Sequence, residues 1–154
     1  MENQTVVGQQ TKVNTQIFDA PEEGARYVAA KIAAFINKRN SEGLPTVLGL
    51  ATGNTPIPLY MELVRLHKEE GLSFKKVISF NLDEYYPISP DDVNSYHYFM
   101  FKHLFSHIDI DRANVHIPVG TLAEHMINEY CEGYERMIRE AGIDFTELPE
   151  RHFD

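Results

Sequence analysis

Residues 45–56, PTVLGLATGNTP, decide the fold that this sequence predicts. The first six residues are a compact apolar run with almost no polar alternation, which is typical of a strand buried on both faces of a parallel sheet. The small and polar residues that follow predict a loop. From Pro56 to about Glu70 leucines recur at helical spacing, and Gly71 supplies a stop. The stretch therefore predicts a strand, a loop and a helix in direct succession.

Short apolar runs and helical patterns alternate along the rest of the chain. Further strands are predicted at residues 15–18, 76–82 and 115–119, with another beginning at 143–145, and helices at 21–42, 95–106 and from Thr121 onward. Such alternation is the signature of βαβ units with right-handed crossovers. We therefore expect an α/β protein with a doubly wound, Rossmann-like, mostly parallel sheet and helices on both faces. Residues 1–14 are expected to be a flexible polar tail before a single domain at 15–154.

The composition excludes several classes of protein. The 154 residues carry 14 Lys and Arg against 23 Asp and Glu, a net charge of −9, which repels nucleic acid phosphates and anionic membranes. The single cysteine, Cys131, permits no intrachain disulfide or CxxC zinc site and is expected to be a small core residue in a reducing compartment. Neither a signal peptide nor a run of about 18 apolar residues occurs. We expect a cytoplasmic protein that binds neither nucleic acid nor membranes.

The loop at residues 51–55 is the first candidate site. Thr55 is a suitable N-cap and Pro56 a suitable first helical residue, so a helix N-terminus lies at the carboxyl end of a strand. Free N–H groups and the helix dipole favour an anion such as a phosphate there, and ligands of open α/β sheets bind at this edge. The candidate phosphate-binding residues are Thr52, Gly53, Asn54 and Thr55. The same pattern also fits a plain capped turn, and no Walker loop occurs.

Two adjacent carboxylates, Asp83 and Glu84, end the apolar run of residues 76–82. If the two strands are neighbours, these acids lie at the same edge of the sheet as the 51–55 loop. Partial desolvation there would raise a carboxylate pKa into the range useful to a general base. The alternatives are a solvated loop acid or a cap for the next helical turn.

Histidine and aromatic side chains are assigned mainly to packing. His103 and His107 are four residues apart, a spacing that fits a metal, but no HExxH carboxylate accompanies them, so no metal is predicted. His116 is expected to be a buried imidazole, with a position in the site as the alternative. The aromatic residues of the 95–106 helix, Tyr96 among them, are expected in the core or in subunit contacts.

Three motifs, in this order and spacing, resemble the amino-terminal half of the glucosamine-6-phosphate deaminase family, also called glucosamine-6-phosphate isomerase. They are LGLATGNTPIPLYMELV at residues 48–64, FNLDEYYPISPDDVNSYHYFMFKHLFSHIDI at 80–110 and NVHIPVG at 114–120. The resemblance implies conversion of glucosamine 6-phosphate and water to fructose 6-phosphate and ammonia, without a metal or organic cofactor. It also implies a small-molecule sugar phosphate as partner, and a homo-oligomer whose contacts would cover exposed sheet edges.

The resemblance assigns roles to both candidate loops. The family's loop that matches Thr52, Gly53, Asn54 and Thr55 helps to hold the sugar phosphate. Its aspartate that matches Asp83 is the proton acceptor that moves hydrogen between C2 and C1, and Glu84 belongs to the same catalytic motif in a supporting role. Asn54 stands where many relatives carry Gly or Ser. Tyr86-Pro87 stands where many carry Val-Gly, which leaves the shape of the loop over the sugar open.

The resemblance ends near the segment AGIDF at residues 141–145. The family continues with a GxDGHIAFNEP-like stretch, whose Asp, His and Glu open the sugar ring, and later supplies basic residues to the phosphate site. Residues 146–154, TELPERHFD, differ, which implies a fold incomplete on its carboxyl-terminal side and an inactive isolated chain. Two alternatives stay open: a 6-phosphogluconolactonase, whose acid motif usually ends Asp-Glu-Arg where this chain has Tyr85, and a non-catalytic sugar-phosphate-binding protein.

Overall fold

The computed structural model of the chain describes residues 15–142. Within them helices and strands alternate as α1 (Pro21–Ser41), β1 (Thr46–Leu50), α2 (Ile57–Glu70), β2 (Val77–Asn81), α3 (Tyr96–His103), β3 (Val115–His116) and α4 (Ile127–Glu140), with short 3₁₀ turns before and after β3. The alternation confirms the predicted α/β class. Charges suit the dipole of α1, since glutamates occupy its first turn and Lys38 and Arg39 its last.

The three strands form one parallel sheet in the order β1-β2-β3. β1 pairs with β2 along its whole length, from Thr46 opposite Val77 to Leu50 opposite Asn81. β3 pairs with β2 only through Val115 and His116. The carboxyl ends of β1 and β2 therefore lie side by side, which brings the loops that follow them to one edge of the sheet.

Helices α1, α2 and α3 cover one face of the sheet. Their apolar side chains join those of the strands in a single buried cluster, whose members include Ala29, Ile36, Leu50, Tyr60, Leu63, Leu66, Val77, Met100 and Leu104. This burial is the main stabilising contribution to the fold, since each fully buried aliphatic side chain contributes roughly 1.5–3 kcal/mol.

Helix α4 packs on the opposite face. The ring of Tyr134 meets the edge of Phe80 at 5.8 Å between centroids, and Phe80 stacks on His116 at 4.6 Å. The Tyr134 hydroxyl donates to the backbone oxygens of Asn81, at 2.7 Å, and His116, at 3.0 Å. Helices on both faces of a parallel sheet confirm the doubly wound architecture.

Several local predictions were wrong. Residues 15–18 form no strand, and the Phe18 ring instead packs on Tyr27 of α1 at 5.3 Å. β3 ends at His116 because Pro118, two residues later, has no N–H for the ladder. A 3₁₀ turn at Glu124–Met126 precedes α4, so the helix starts well after Thr121. Cys131 is exposed on α4 and not in the core. The predicted tail at 1–14 and strand at 143–145 lie outside the described residues.

The loop between β2 and α3 rests against the loop between β3 and α4. Ile88 donates its N–H to the Gly120 oxygen at 2.9 Å. Gly120 is buried, and a Cβ atom there would lie 2.5 Å from the Ile88 side chain and 2.6 Å from the Tyr85 oxygen. Only glycine permits this approach of the two backbones.

The substitution Gly120→Ala is expected to lower the free energy of unfolding by about 1–3 kcal/mol, because the added methyl overlaps backbone atoms that cannot rotate away. Denaturant unfolding followed by circular dichroism measures the change. Gly133→Ala is the matched control, since a Cβ atom there meets nothing within 4 Å. Inside α4 it should stabilise by roughly 0.5–1 kcal/mol. Equal stability of the Gly120→Ala variant and the parent chain would contradict the described packing.

Candidate functional site

The loop after β1 lies at the carboxyl edge of the sheet, where the sequence predicts it. Thr52 is half-buried, whereas Gly53, Asn54 and Thr55 are exposed. Gly53 has a φ of +96°, in the region that favours glycine. The four predicted phosphate-binding residues thus form one continuous segment whose polar backbone groups lie at the surface.

The helix that follows begins one residue later than predicted. Pro56 is the N-cap of α2 and makes no side-chain capping bond, so Thr55 is not the cap. The Ile57 N–H donates to the Asn54 oxygen at 3.3 Å and closes a turn ahead of the helix. Pro58 removes a further N–H donor from the first turn.

Two side chains hold the end of β1 in place. The Asn81 amide donates to the Leu50 oxygen at 3.0 Å, and the Tyr60 hydroxyl donates to the Ala51 oxygen. Asn81 and Tyr60 are both almost fully buried. Burial raises the pKa of Tyr60 to about 12, with the Ala51 bond acting in the opposite direction. The start of the 51–55 loop is therefore fixed from both β2 and α2.

The two adjacent acids after β2 have different surroundings. Asp83 is exposed, because no described residue covers it, so the expected desolvation of this carboxylate is absent within residues 15–142. Glu84 is half-buried, and one of its oxygens accepts from the Tyr96 N–H at 2.8 Å while the other accepts from His97 at 2.9 Å. Glu84 therefore caps the N-terminus of α3, together with Ser95, as the alternative reading of this acid predicts.

The rest of the acidic loop is attached to the segment after β3. The Tyr86 hydroxyl donates to the Leu122 oxygen at 3.0 Å, and the Tyr86-Pro87 peptide is cis. Glu84, Ile88, His97 and Gly120 contribute to the walls of a cavity of about 220 Å³ between the two segments. Tyr86-Pro87, which stands where many relatives carry Val-Gly, thus lies in a loop that is attached to its neighbours at several points.

Tyr96 connects the two candidate loops, a role that sequence analysis missed. Its ring lies 4.8 Å from that of Tyr85, and the side chains of Tyr85 and Thr52 lie close enough to its hydroxyl group to shift its pKa. Tyr85, burial and the nearby charge of Asp83 raise the pKa of Tyr96, against a lowering by Thr52. One feature of the sequence does indicate this role: Tyr96 directly follows Ser95, the N-cap of α3, and so lies beside the acidic loop.

His103 and His116 take part in packing. His116 is half-buried against Phe80, and burial lowers its pKa. His103 packs on Phe99 with centroids 4.6 Å apart, and burial lowers its pKa as well. Across residues 15–142 no group of three His, Cys, Asp or Glu side chains is placed to hold a metal ion. The described chain also contains no helix long and apolar enough to cross a bilayer.

The fold and site define an α/β protein whose polar residues gather at the carboxyl edge of a parallel sheet. Residues 19–154 match the family model described as glucosamine-6-phosphate isomerases/6-phosphogluconolactonase, and the chain belongs to this family. It is 46% identical over 138 residues to a glucosamine-6-phosphate deaminase-like protein of Bacteroides thetaiotaomicron, covering 89% of this chain and 21% of that protein. It is 48% identical over 115 residues to a glucosamine-6-phosphate deaminase of Thermoanaerobacter sp., and the match covers 75% of this chain and 45% of that protein.

Solved structures give the same family. A monomeric glucosamine-6-phosphate deaminase superposes with a TM-score of 0.75 at 38% identity, covering 81% of this chain and 49% of that one. A 6-phosphogluconolactonase of Thermotoga maritima is more distant, with a TM-score of 0.61 at 28% identity over 79% and 52% of the two chains. The chain thus spans less than half the length of the curated relatives it matches.

The burial of Tyr60 predicts a loss of stability at alkaline pH. The folded chain holds the Tyr60 proton more tightly than the unfolded chain, whose tyrosine pKa is 10.0. Its contribution is complete below that pH and is lost as the pH rises from 10.0 towards about 12. Tyr60→Phe should therefore show a shallower fall of unfolding free energy over this range, and be less stable by roughly 1 kcal/mol near neutral pH. If the unfolding free energy of the variant and of the parent chain falls equally steeply with pH, the raised pKa of Tyr60 is contradicted.

Proposed function

We propose that the chain provides the phosphate-binding and proton-transfer parts of a glucosamine-6-phosphate deaminase site. The reaction is the conversion of glucosamine 6-phosphate and water to fructose 6-phosphate and ammonia, in amino-sugar catabolism. The names of the relatives at 44–48% identity support this reaction over lactone hydrolysis. Tyr85 also stands where the lactonase acid motif usually carries arginine.

The observation that carries the proposal is the meeting of the two loops at Tyr96. Its hydroxyl group lies near Thr52 of the loop after β1 and near Asp83 after β2, since both residues shift its pKa. A sugar phosphate that touches both loops therefore has its phosphate near residues 52–55 and its carbon chain near a carboxylate. Positioning of a reactant beside a catalytic group is a large part of enzymatic rate acceleration.

The groups that residues 51–58 and 82–95 offer to the phosphate are neutral. Residues 51–58 and 82–95 contain no Lys or Arg, and the whole chain has a net charge of −9. Backbone N–H groups around Gly53, with the hydroxyls of Thr52 and Thr55, are the donors that remain. Asn54, in place of the Gly or Ser of many relatives, leaves a backbone N–H contact intact.

Asp83 is the proton carrier in this proposal. Its carboxylate takes the proton from C2 of the open-chain amino aldose as the double bond moves to C1–C2, and the C1 oxygen gains a proton that the protonated amino group releases. The proton on Asp83 is then returned to C1. The resulting C2 imine adds water and releases ammonia, which leaves the ketose. An exposed aspartate in water is a weak base, so the carboxylate needs a covered site to work efficiently at neutral pH.

Glu84 has a positioning role in the same proposal. Both of its oxygens accept backbone N–H groups of α3, so the fold itself uses this carboxylate. The cap fixes the start of α3, and with it Tyr96, relative to Asp83. The proposal further places the protein in the cytoplasm, where an exposed, unpaired Cys131 is stable as a thiol.

The test is ammonia release from glucosamine 6-phosphate by this chain alone and by a fusion of residues 1–142 to the carboxyl-terminal half of the Thermoanaerobacter deaminase. We expect turnover by the fusion and none by the isolated chain. In the fusion, Asp83→Asn should lower kcat by about 10²- to 10⁴-fold and change KM little, because a proton carrier acts in the transition state.

The matched control is Asp91→Asn, an exposed aspartate of the same loop, which should leave kcat within about twofold because it lies outside the proposed machinery. An equal loss of kcat in both variants would indicate a general effect of charge in the loop. Full activity of the Asp83→Asn fusion would refute the role of Asp83, and binding without turnover in the unmutated fusion would favour a sugar-phosphate sensor.

A further inference from the structure

The cavity between the acidic loop and the segment after β3 is formed entirely by described residues. It has a volume of about 220 Å³, and residues of the β2–α3 loop and of α3 line it together with residues 117–121. The bond from the Ile88 N–H to the Gly120 oxygen, at 2.9 Å, holds the two walls together. Neither the predicted phosphate-binding residues nor Asp83 contribute to these walls. The cavity is therefore a second space at this edge of the sheet.

Much of the cavity wall is apolar. Ile88, Ile117, Pro118 and Val119 contribute to it, and Ile117 also belongs to the buried core. One molecule of liquid water takes up about 30 Å³, so the cavity corresponds to roughly seven waters. Small-molecule sites combine apolar walls of this kind with a few polar groups that fix the orientation of the ligand. The cavity therefore fits a small compound with a short apolar body.

Hydrogen-bond donors are scarce in these walls. Pro90 and Pro118 have no N–H group. The N–H of Ile88 is used in the bond that joins the two walls, and the N–H of Val119 donates to the Tyr130 hydroxyl at 3.2 Å. A ligand that brings its own donors therefore suits the cavity better than one that needs donors from the protein.

The first N–H groups of α3 are already in use. Those of Tyr96 and His97 donate to Glu84, and that of Tyr98 donates to the Ser95 hydroxyl at 2.9 Å. These are the groups with which a helix start holds an anion. An anion in the cavity would also be repelled by the charge of Glu84 itself. The cavity is therefore unsuited to a phosphate or a carboxylate.

Glu84 and His97 supply acceptors instead. The Glu84 carboxylate accepts from the N–H groups of Tyr85, Tyr96 and His97, whereas a carboxylate has about four acceptor positions. The His97 Nδ1 atom lies 3.1 Å from the Pro90 oxygen, which can only accept. Because Nδ1 must carry the hydrogen, Nε2 of the neutral ring is an acceptor. A charged and a neutral acceptor thus belong to the same cavity.

The charge around the cavity favours a cation. Residues 82–98 and 117–121 contain four Asp and Glu and no Lys or Arg. Glu84 is half-buried, and solvent screens a half-buried carboxylate less than one in open water. An ammonium group combines a positive charge with three N–H donors and has no acceptor. It matches both the charge of the cavity and its shortage of donors.

We propose that this cavity is a binding site for a small alkylammonium ion. The ammonium group donates to the Glu84 carboxylate and to Nε2 of His97, and the short alkyl chain packs on the apolar wall. The ion lies between the acidic loop and the segment after β3, so its binding stabilises the attachment of one to the other. Since Glu84 directly follows Asp83, the site adjoins the candidate catalytic loop. The proposal does not depend on the proposed reaction.

The test is an NMR titration of the chain with butylammonium chloride at constant ionic strength. We expect the amide signals of Glu84, His97, Gly120 and Thr121 to shift together, with a dissociation constant on the order of 1 mM for so small a ligand. The signals of residues 52–55 should stay in place. Tetramethylammonium is the matched comparison, since it carries the same charge without any N–H, and it should bind about tenfold more weakly or less. Acetate is the anionic comparison.

Two substitutions of His97 distinguish its ring nitrogens. His97→Asn keeps a donor near the place of Nδ1 and removes Nε2, and it should weaken butylammonium binding by about tenfold. His97→Gln brings an amide oxygen near the place of Nε2 and should bind within about threefold of the parent chain. His103→Asn, on α3 but outside the cavity walls, is the control and should leave the affinity unchanged. Thermal unfolding checks that each variant remains folded.

Any of three results overturns the proposal. One is a lack of shifts at the cavity residues at butylammonium concentrations well above the expected dissociation constant. Another is equally tight binding of tetramethylammonium, or of butylammonium by a folded His97→Asn variant, since the ion would then be held without the described acceptors. The third is tighter binding of acetate at the same residues, which would assign the cavity to anions. None of these readouts involves ammonia release, so failure of the proposed reaction and failure of this site are separate results.

Discussion

The alignment of β1 with β2 is the constraint on which the rest of the structure depends. Parallel pairing that ends with Leu50 opposite Asn81 places the loops after both strands at one edge. The Asn81 amide then bonds to the Leu50 oxygen, and Tyr134 reaches the Asn81 oxygen from the other face. A shift of one residue in this pairing would exchange the two faces of β2 and separate the site residues.

Residues other than Asp83 and 53–55 hold the two loops in place. Tyr60 fixes the end of β1 from α2, and Gly120 lets the acidic loop approach the segment after β3. Glu84 joins the acidic loop to α3 by capping that helix. Asp83 and residues 53–55 remain exposed to solvent, next to the residues that fix the two loops. A site held by its surroundings keeps its polar groups free for a ligand.

Sequence analysis predicted the elements that depend on one dominant signal. The apolar runs of β1 and β2 and the leucine spacing of α2 report burial directly, so their class and order were confirmed, as was the family resemblance. The predicted cap of α2 was wrong. Thr55 is a good cap by type, but the turn from Asn54 to Ile57 places Pro56 at that position.

Other features depend on partners distant in the sequence. A cap was one alternative for the acids after β2, but no local pattern shows that Glu84 accepts from both Tyr96 and His97, or that Tyr96 lies near Thr52. Cys131 was expected in the core because of its residue type, yet α4 presents it to solvent. Asp83 was expected to be partly desolvated, but the surface that would cover it is not formed by residues 15–142. These positions are decided by packing between elements and not by the spacing within one element.

The most direct measurement of the central claim is an NMR titration of the chain with glucosamine 6-phosphate, with inorganic phosphate as the comparison. If both loops form one sugar-phosphate site, the sugar phosphate shifts the amide signals of residues 52–55 and of Asp83 to Tyr85 together. Inorganic phosphate then shifts only residues 52–55. Shifts confined to one loop under the sugar phosphate, or located away from both, would contradict the account.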